Sequence, residues 1–168
     1  MFQKGEIWAY PTNTSFGLGA RIDDIKSLQT IHELKQRPQG KFFSLMVRDF
    51  AMLQEYAEVP DNFPPEFFTK TPRTALLKPR KKLPQTQFWP TEKVGFRICQ
   101  IPEIAQHIEI PITTTSANLS GNTPLFMPAD VQKQFSDSAL KIFAKPALKI
   151  TDFSEIWDFT QQTPVKIR

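Results

Sequence analysis

A single cysteine, Cys99, in 168 residues excludes an internal disulfide and leaves no cysteine-based metal cluster by spacing. No apolar run approaches the roughly 18 residues that a membrane span needs. Met1 to Glu6 lead into an alternating segment without the apolar stretch of a signal peptide, so a cytoplasmic protein with no membrane partner is expected. Histidine is scarce too. His32 and His107 fall on helical segments and read as surface or partly buried structural residues. No carboxylate cluster marks a metal site. Charge of one sign is in mild excess only: 21 basic and 17 acidic side chains leave +4, compatible with an anionic ligand such as a nucleotide or tRNA without requiring one. Glycine is limited to six positions, so where they fall is informative. What is abundant is proline, fifteen residues of it, which implies many fixed turns. An apolar content of 40% in a chain of this length suffices for the core of one ordinary domain, expected over 1–168.

Glu6 to Tyr10 alternates like a half-buried strand and runs into the turn residues Pro11-Thr12-Asn13. Asp23 or Asp24 suits the cap of a helix whose apolar face is Ile25, Leu28, Ile31 and Leu34, with Pro38 ending it. Phe42 to Val47 reads as a buried strand, and Arg48-Asp49 begins a helix carrying Phe50, Leu53 and Tyr56. Pro60 to Pro65 is a proline-rich turn leading into a short aromatic helical segment that ends near Thr69. Thr74 to Lys78 and Val94 to Cys99 are strands by β-branching and length, with an exposed basic turn from Lys78 to Lys82 between them. Pro102 opens a short helix to about His107, Ile112 to Thr115 is a strand, and Pro128 opens a helix reaching Phe135. Ala139 to Phe143, Ile156 to Thr160 and Pro164 to Ile167 supply late strands. Strands alternating with short helices give the expected class: α/β (α+β), a single-domain open twisted mixed sheet flanked by helices.

Three segments carry candidate chemistry. The first, Tyr10 to Gly19, places Thr12, Asn13, Thr14 and Ser15 after a strand, with Gly17 and Gly19 behind them. It reads either as a loop that hydrogen-bonds a small polar substrate or as a glycine-rich turn satisfied locally. The second, Glu33 to Lys41, gathers Lys35, Arg37 and Lys41 at a helix end. Those cations either surround a phosphate chain or form a solvated helix terminus that suits the macrodipole. The third, Ile112 to Gly121, runs from apolar residues into Thr113, Thr114, Thr115, Ser116, Asn118 and Ser120. It reads as a ligand site at a strand's carboxyl end or as a Ser/Thr-rich turn.

Taken in order, Pro-Thr-x-Thr-x-aromatic-Gly-Leu-Gly, Lys-x-Arg-Pro and Thr-Ser-Ala-Asn-Leu-Ser-Gly resemble the YrdC/YciO-like family of threonylcarbamoyl-adenylate synthases. Thr71 to Leu77, Val94 to Ile98 and Ser154 to Asp158 resemble further family segments, so the resemblance spans Tyr10 to Arg168. Phe16 stands where the family usually has tyrosine, and Glu155 where it has a small hydroxyl residue. Phe43 to Asp49 is closer in style to the YciO branch, while the retained Ser116-Ala117-Asn118 is not.

The resemblance implies a YrdC-like fold and an L-threonylcarbamoyladenylate synthase, a nucleotidyltransferase acting on ATP, L-threonine and bicarbonate and releasing pyrophosphate. Its product would feed threonylcarbamoyl-adenosine modification of tRNA. Implied partners are tRNA or double-stranded RNA and the tRNA threonylcarbamoyl-transferase machinery. Mg²⁺ would be brought with ATP, with no dedicated protein metal site. The resemblance assigns Lys35 and Arg37 as catalytic, and Lys35, Arg37, Thr74, Ser116, Asn118 and Ser154 to the nucleotide. It assigns Thr12, Thr14, Lys41 and Arg97 to the threonine pocket. The alternative is a YciO-like nucleotide- or RNA-binding protein with weak or altered synthase activity. Strand alternation predicts that Ser154 faces the nucleotide while Glu155 points away from it. Lys35 and Arg37, read as surface residues, are expected to cost little stability when neutralised, about 0.5 kcal/mol.

Overall fold

The computed structural model describes residues 2–84, 86–136, 138–147 and 154–168. Among them, ten strands and four helices follow in the order β1 (Ile7–Pro11), β2 (Phe16–Gly19), α1 (Ile25–Leu34), β3 (Ser44–Val47), α2 (Phe50–Tyr56), β4 (Ala57–Glu58), β5 (Arg73–Pro79), β6 (Val94–Ile98), α3 (Pro102–Ala105), β7 (Ile112–Ser116), α4 (Pro128–Gln134), β8 (Leu140–Ile142), β9 (Glu155–Asp158) and β10 (Val165–Lys166). The strands form one open mixed sheet of the expected class, ordered β10-β9-β5-β6-β3-β7-β2-β1-β8, with β4 paired to β5. The pairs β1–β8, β3–β6 and β5–β9 are parallel and the others antiparallel. None of the described helices is long and apolar enough to cross a membrane.

The first helix forms as its sequence dictates. Asp24 caps it, accepting from the Ser27 amide at 3.3 Å and the Ser27 hydroxyl at 2.6 Å, while Leu28 and Ile31 are buried. Its end differs from expectation: Pro38 does not stop it, because a Schellman motif does so three residues earlier. The Arg37 amide donates to the His32 carbonyl and the Gln36 amide to the Glu33 carbonyl, with Gln36 left-handed at φ 47°. That reversal carries Lys35 and Arg37 toward the sheet rather than out into water.

Two elements depart from the sequence reading. Residues Phe16–Gly19, read as part of a glycine-rich loop, are a fully buried strand between β1 and β7. Gly19 belongs there for packing: a Cβ would lie 2.3 Å from the Thr113 carbonyl oxygen and 2.9 Å from the Tyr10 ring. The aromatic segment after Pro65 is a series of turns rather than a helix, bonded Phe67 to Pro64 and Thr69 to Glu66. Phe63, Phe67 and Phe68 pack instead against one another and Phe159, with centroids 4.6–5.7 Å apart.

Candidate functional site

A cavity of about 510 Å³ opens over one face of the sheet, lined from β2, β3, β5, β6, β7 and β9 and by the chain after α1. This volume falls in the range of small-ligand sites. Thr12, Thr14, Lys35, Arg37, Lys41, Thr74, Arg97, Ser116, Asn118 and Ser154 all line it. The segments read separately along the chain thus meet in one place. The site spreads across a sheet face instead of lying only beyond strand ends, because the mixed strand order sets β5, β6, β3 and β7 side by side. Gly95 opposite Leu76 makes room on that face: a Cβ there would approach the Ser44 hydroxyl to 2.7 Å and the Thr74 methyl to 3.0 Å.

Lys35 is only 1% exposed, which overturns the reading of a solvated helix terminus. Its ammonium donates to the Ser116 carbonyl and, at 2.6 Å, to the Asn118 carbonyl. Burial, with Arg37 and Lys41 adding their charge, pushes its pKa down to about 7. The Arg37 guanidinium spans the gap to the rim. Nε donates to the Lys41 carbonyl at 2.7 Å, Nη2 to the Phe42 carbonyl and Nη1 to the Thr115 hydroxyl at 3.2 Å. Its face lies over the Phe43 ring at 4.8 Å. A guanidinium carries five N–H donors, so two remain for a ligand. Burial lowers its pKa to about 10.

The amide of Asn118 has a determined orientation, since Nδ2 donates to the carbonyls of Leu119 at 2.8 Å and Asn122 at 2.6 Å. Its Oδ1 and the buried Ser120 hydroxyl have no protein partner among the described residues. At the opposite end the threonine hydroxyls form a directed chain. Thr12 donates to the Ser15 carbonyl at 2.7 Å, so Thr14, 3.0 Å away, must donate to Thr12. Thr14 lines the cavity, so its oxygen is left as an acceptor suited to an amino group. Arg97 donates to Asn13 Oδ1 at 2.9 Å, and burial presses its pKa down.

Ser154 is buried, 3.3 Å from the Thr74 hydroxyl, and both line the cavity. Glu155, its neighbour on an extended chain, turns to the other face, as strand alternation predicts. There it meets Arg73 at 2.7 Å and Lys166 at 2.5 Å. Lys166, Arg73 and the Trp157 indole hold its carboxyl at about 2.

The lining includes residues that sequence reasoning did not select: Ser44, Thr115 and Arg168. Asn13, named within the first segment but given no role of its own, holds Arg97. Arg168 donates twice to the Ser154 carbonyl, at 3.1 and 3.3 Å. Lys35, Arg37, Lys41, Arg97 and Arg168 give the lining five cations, and no aspartate or glutamate lines it among the described residues. Nor is any group of three or more His, Cys, Asp or Glu among those residues placed to hold a metal ion.

Known proteins resemble this chain in sequence and fold. A threonylcarbamoyl-AMP synthase of Yersinia pestis (strain Pestoides F) is 32% identical over 143 residues, covering 79% of this chain and 74% of that protein. The crystal structure of P. abyssi Sua5 complexed with L-threonine superposes with a TM-score of 0.83 at 27% identity, covering 98% of this chain. The chain spans about half the length of that protein, 50%. E. coli YciO superposes with a TM-score of 0.79 at 26% identity, covering 98% of this chain and 82% of YciO. A family model described as "Telomere recombination" matches residues 1–168, and the chain belongs to that family, Sua5_yciO_yrdC.

Proposed function

We propose that the chain is an L-threonylcarbamoyladenylate synthase. The observation that carries this reading is the cavity itself: five cations, a row of hydroxyls and, among the described residues, no lining carboxylate. Such a lining suits a polyphosphate together with a second small anion. Relatives at about this distance are threonylcarbamoyl-AMP synthases, and the threonine complex of P. abyssi Sua5 shows that one relative holds that amino acid.

In this mechanism the amino group of threonine and bicarbonate give a carbamate and water. A carbamate oxygen then attacks the α-phosphorus of ATP, forming the mixed anhydride while the bond to pyrophosphate breaks. The attacking oxygen is already an anion, so no strong general base is required. Catalysis is positioning and stabilisation of phosphate charge. Lys35 and Arg37 hold the phosphates, and Thr74, Ser116, Asn118 and Ser154 take the nucleotide's remaining polar groups. Thr14 accepts from the threonine amino group before it reacts, with Thr12 and Lys41 beside it, and Arg97 meets a carboxylate. Mg²⁺ enters as part of the substrate, bound to ATP. The product serves tRNA modification in the cytoplasm, handed to the threonylcarbamoyl-transferase machinery.

The reading of a basic RNA-binding module is disfavoured by one feature. Of the basic residues Lys78 to Lys82, Lys78 at the end of β5 pairs with Glu58 at 3.6 Å and Lys81 in the turn after it with Glu55 at 2.5 Å, so part of their charge is already offset. A YciO-like protein of altered activity is favoured by Phe16, a ring without a hydroxyl where the family usually has tyrosine. Pyrophosphate release with threonine and bicarbonate omitted in turn separates these readings. The synthase needs both. ATP binding without turnover points to the YciO-like protein, and release indifferent to both sinks the proposal.

A further inference from the structure

Among the described residues five large apolar side chains are exposed: Phe42, Phe50, Met127, Val165 and Ile167. Of these, Phe42 alone lines the cavity, at 43% exposure. The next residue, Phe43, is 3% exposed, stacks on Phe88 at 5.9 Å and lies beneath the Arg37 guanidinium. Consecutive phenylalanines on this segment therefore point opposite ways, one into the core and one into the mouth of the site. The ring of Phe42 makes no aromatic contact within the protein among the described residues, whereas Phe43, Phe63, Phe67, Phe68 and Phe88 all do.

Its position is set by the charges beside it. Arg37 donates to the carbonyls of both Lys41 and Phe42, so one guanidinium ties the rim in place. Lys41 is the preceding residue and also lines the cavity. A ligand whose anionic chain is held by Lys35 and Arg37 passes beside an open aromatic face. Such a ligand gains most if it carries a flat π-system of its own.

We infer that Phe42 is the platform on which the base of the bound nucleotide stacks, making it a determinant of affinity for the nucleoside end of ATP. This rests on the nucleotide reading of the cavity and adds to it the residue that contacts the base. Every base has a π-face, so the contact contributes affinity for nucleotides as a class and selects weakly among them.

The test is calorimetric titration of the full chain with MgATP and, separately, with magnesium tripolyphosphate. Wild type, Phe42→Ala, Phe42→Leu and Phe42→Trp are compared. Phe42→Ala is expected to weaken MgATP roughly tenfold, the scale of losing one base–aromatic stack, while tripolyphosphate changes less than about twofold. Phe42→Trp restores MgATP affinity, and Phe42→Leu, apolar but not aromatic, does not. Equal losses for both ligands would show that the ring only braces Arg37 and Lys41, and would overturn the inference. An unchanged MgATP affinity would overturn it as well. Failure of wild type to bind MgATP is read from that titration alone and removes the nucleotide reading underneath.

Discussion

Lys35 and Arg73 are both held against the sheet, on opposite faces, and their surroundings differ in one respect. Arg73 sits on the outer face against the Glu155 carboxylate at 2.7 Å, with the Phe67 and Trp157 rings 5.2 and 5.8 Å from its guanidinium. Lys35 is almost wholly buried among backbone carbonyls, its charged neighbours being Arg37 and Lys41. The outer cation is neutralised inside the protein and needs nothing further. The cavity cations are partly satisfied by carbonyls and hydroxyls, and their charge is left for a ligand. The same division runs along single strands, since Thr74 and Ser154 line the cavity while their neighbours Arg73 and Glu155 pair behind it.

The largest expected effect is on the cavity side. Lys35→Met keeps the apolar stem and removes the charge, and kcat/KM for ATP should fall roughly 100-fold, as for loss of one preorganised electrostatic donor. A loss under threefold would erase the distinction between the faces. Folding stability should move the other way. With its pKa lowered from 10.5 to about 7, Lys35 binds its proton more tightly in the unfolded chain. Stability contributed at this site therefore rises with pH from about 7 toward 10.5, and denaturant melts of Lys35→Met should lack that rise. This replaces the expectation of a cheap surface substitution.

On the outer face the linkage has the opposite sign. Glu155, held at about 2 against an ordinary 4.5, contributes stability above 4.5 that is lost as pH falls through about 2. Acid unfolding of Glu155→Gln should show a weaker dependence across that window. In assays at neutral pH, Glu155→Thr should shift the ATP Michaelis constant by less than about threefold. A tenfold gain in ATP affinity would mean that this carboxylate reaches the phosphates after all.

How far this division was legible in the sequence depended on whether the cause was local. The Asp24 cap, the Ile25-Leu28-Ile31-Leu34 face and the opposite facing of Ser154 and Glu155 follow from neighbouring residues, and the structure agrees with each. Strand β2 escaped because a wholly buried strand with two glycines lacks the alternation that marks a half-exposed one. The burial of Lys35 escaped because it depends on the carbonyls of Ser116 and Asn118, more than 80 positions away, brought near by the pairing of β7 with β2 and β3. Asn13 escaped for the same reason, since Arg97 lies 84 positions along the chain. The three motifs were informative as a set because the sheet order assembles what the chain keeps apart.

A smaller effect sharpens the account of how Lys35 and Arg37 reach the cavity. Gln36 holds the left-handed turn between them at φ 47°. Gln36→Gly relieves that conformation and should raise stability by up to about 1 kcal/mol, with kinetics unchanged. A destabilised Gly variant would show that the Gln36 side chain contributes more than its backbone geometry.

The most direct measurement is a calorimetric titration of MgATP into wild type, Lys35→Met and Arg73→Met, with folding of each verified by thermal melt. The division between faces predicts that Lys35→Met loses affinity by roughly 100-fold, whereas Arg73→Met stays within about threefold of wild type. Equal losses in both variants, or affinity retained by Lys35→Met, would contradict the claim that the cavity's cations are reserved for the nucleotide.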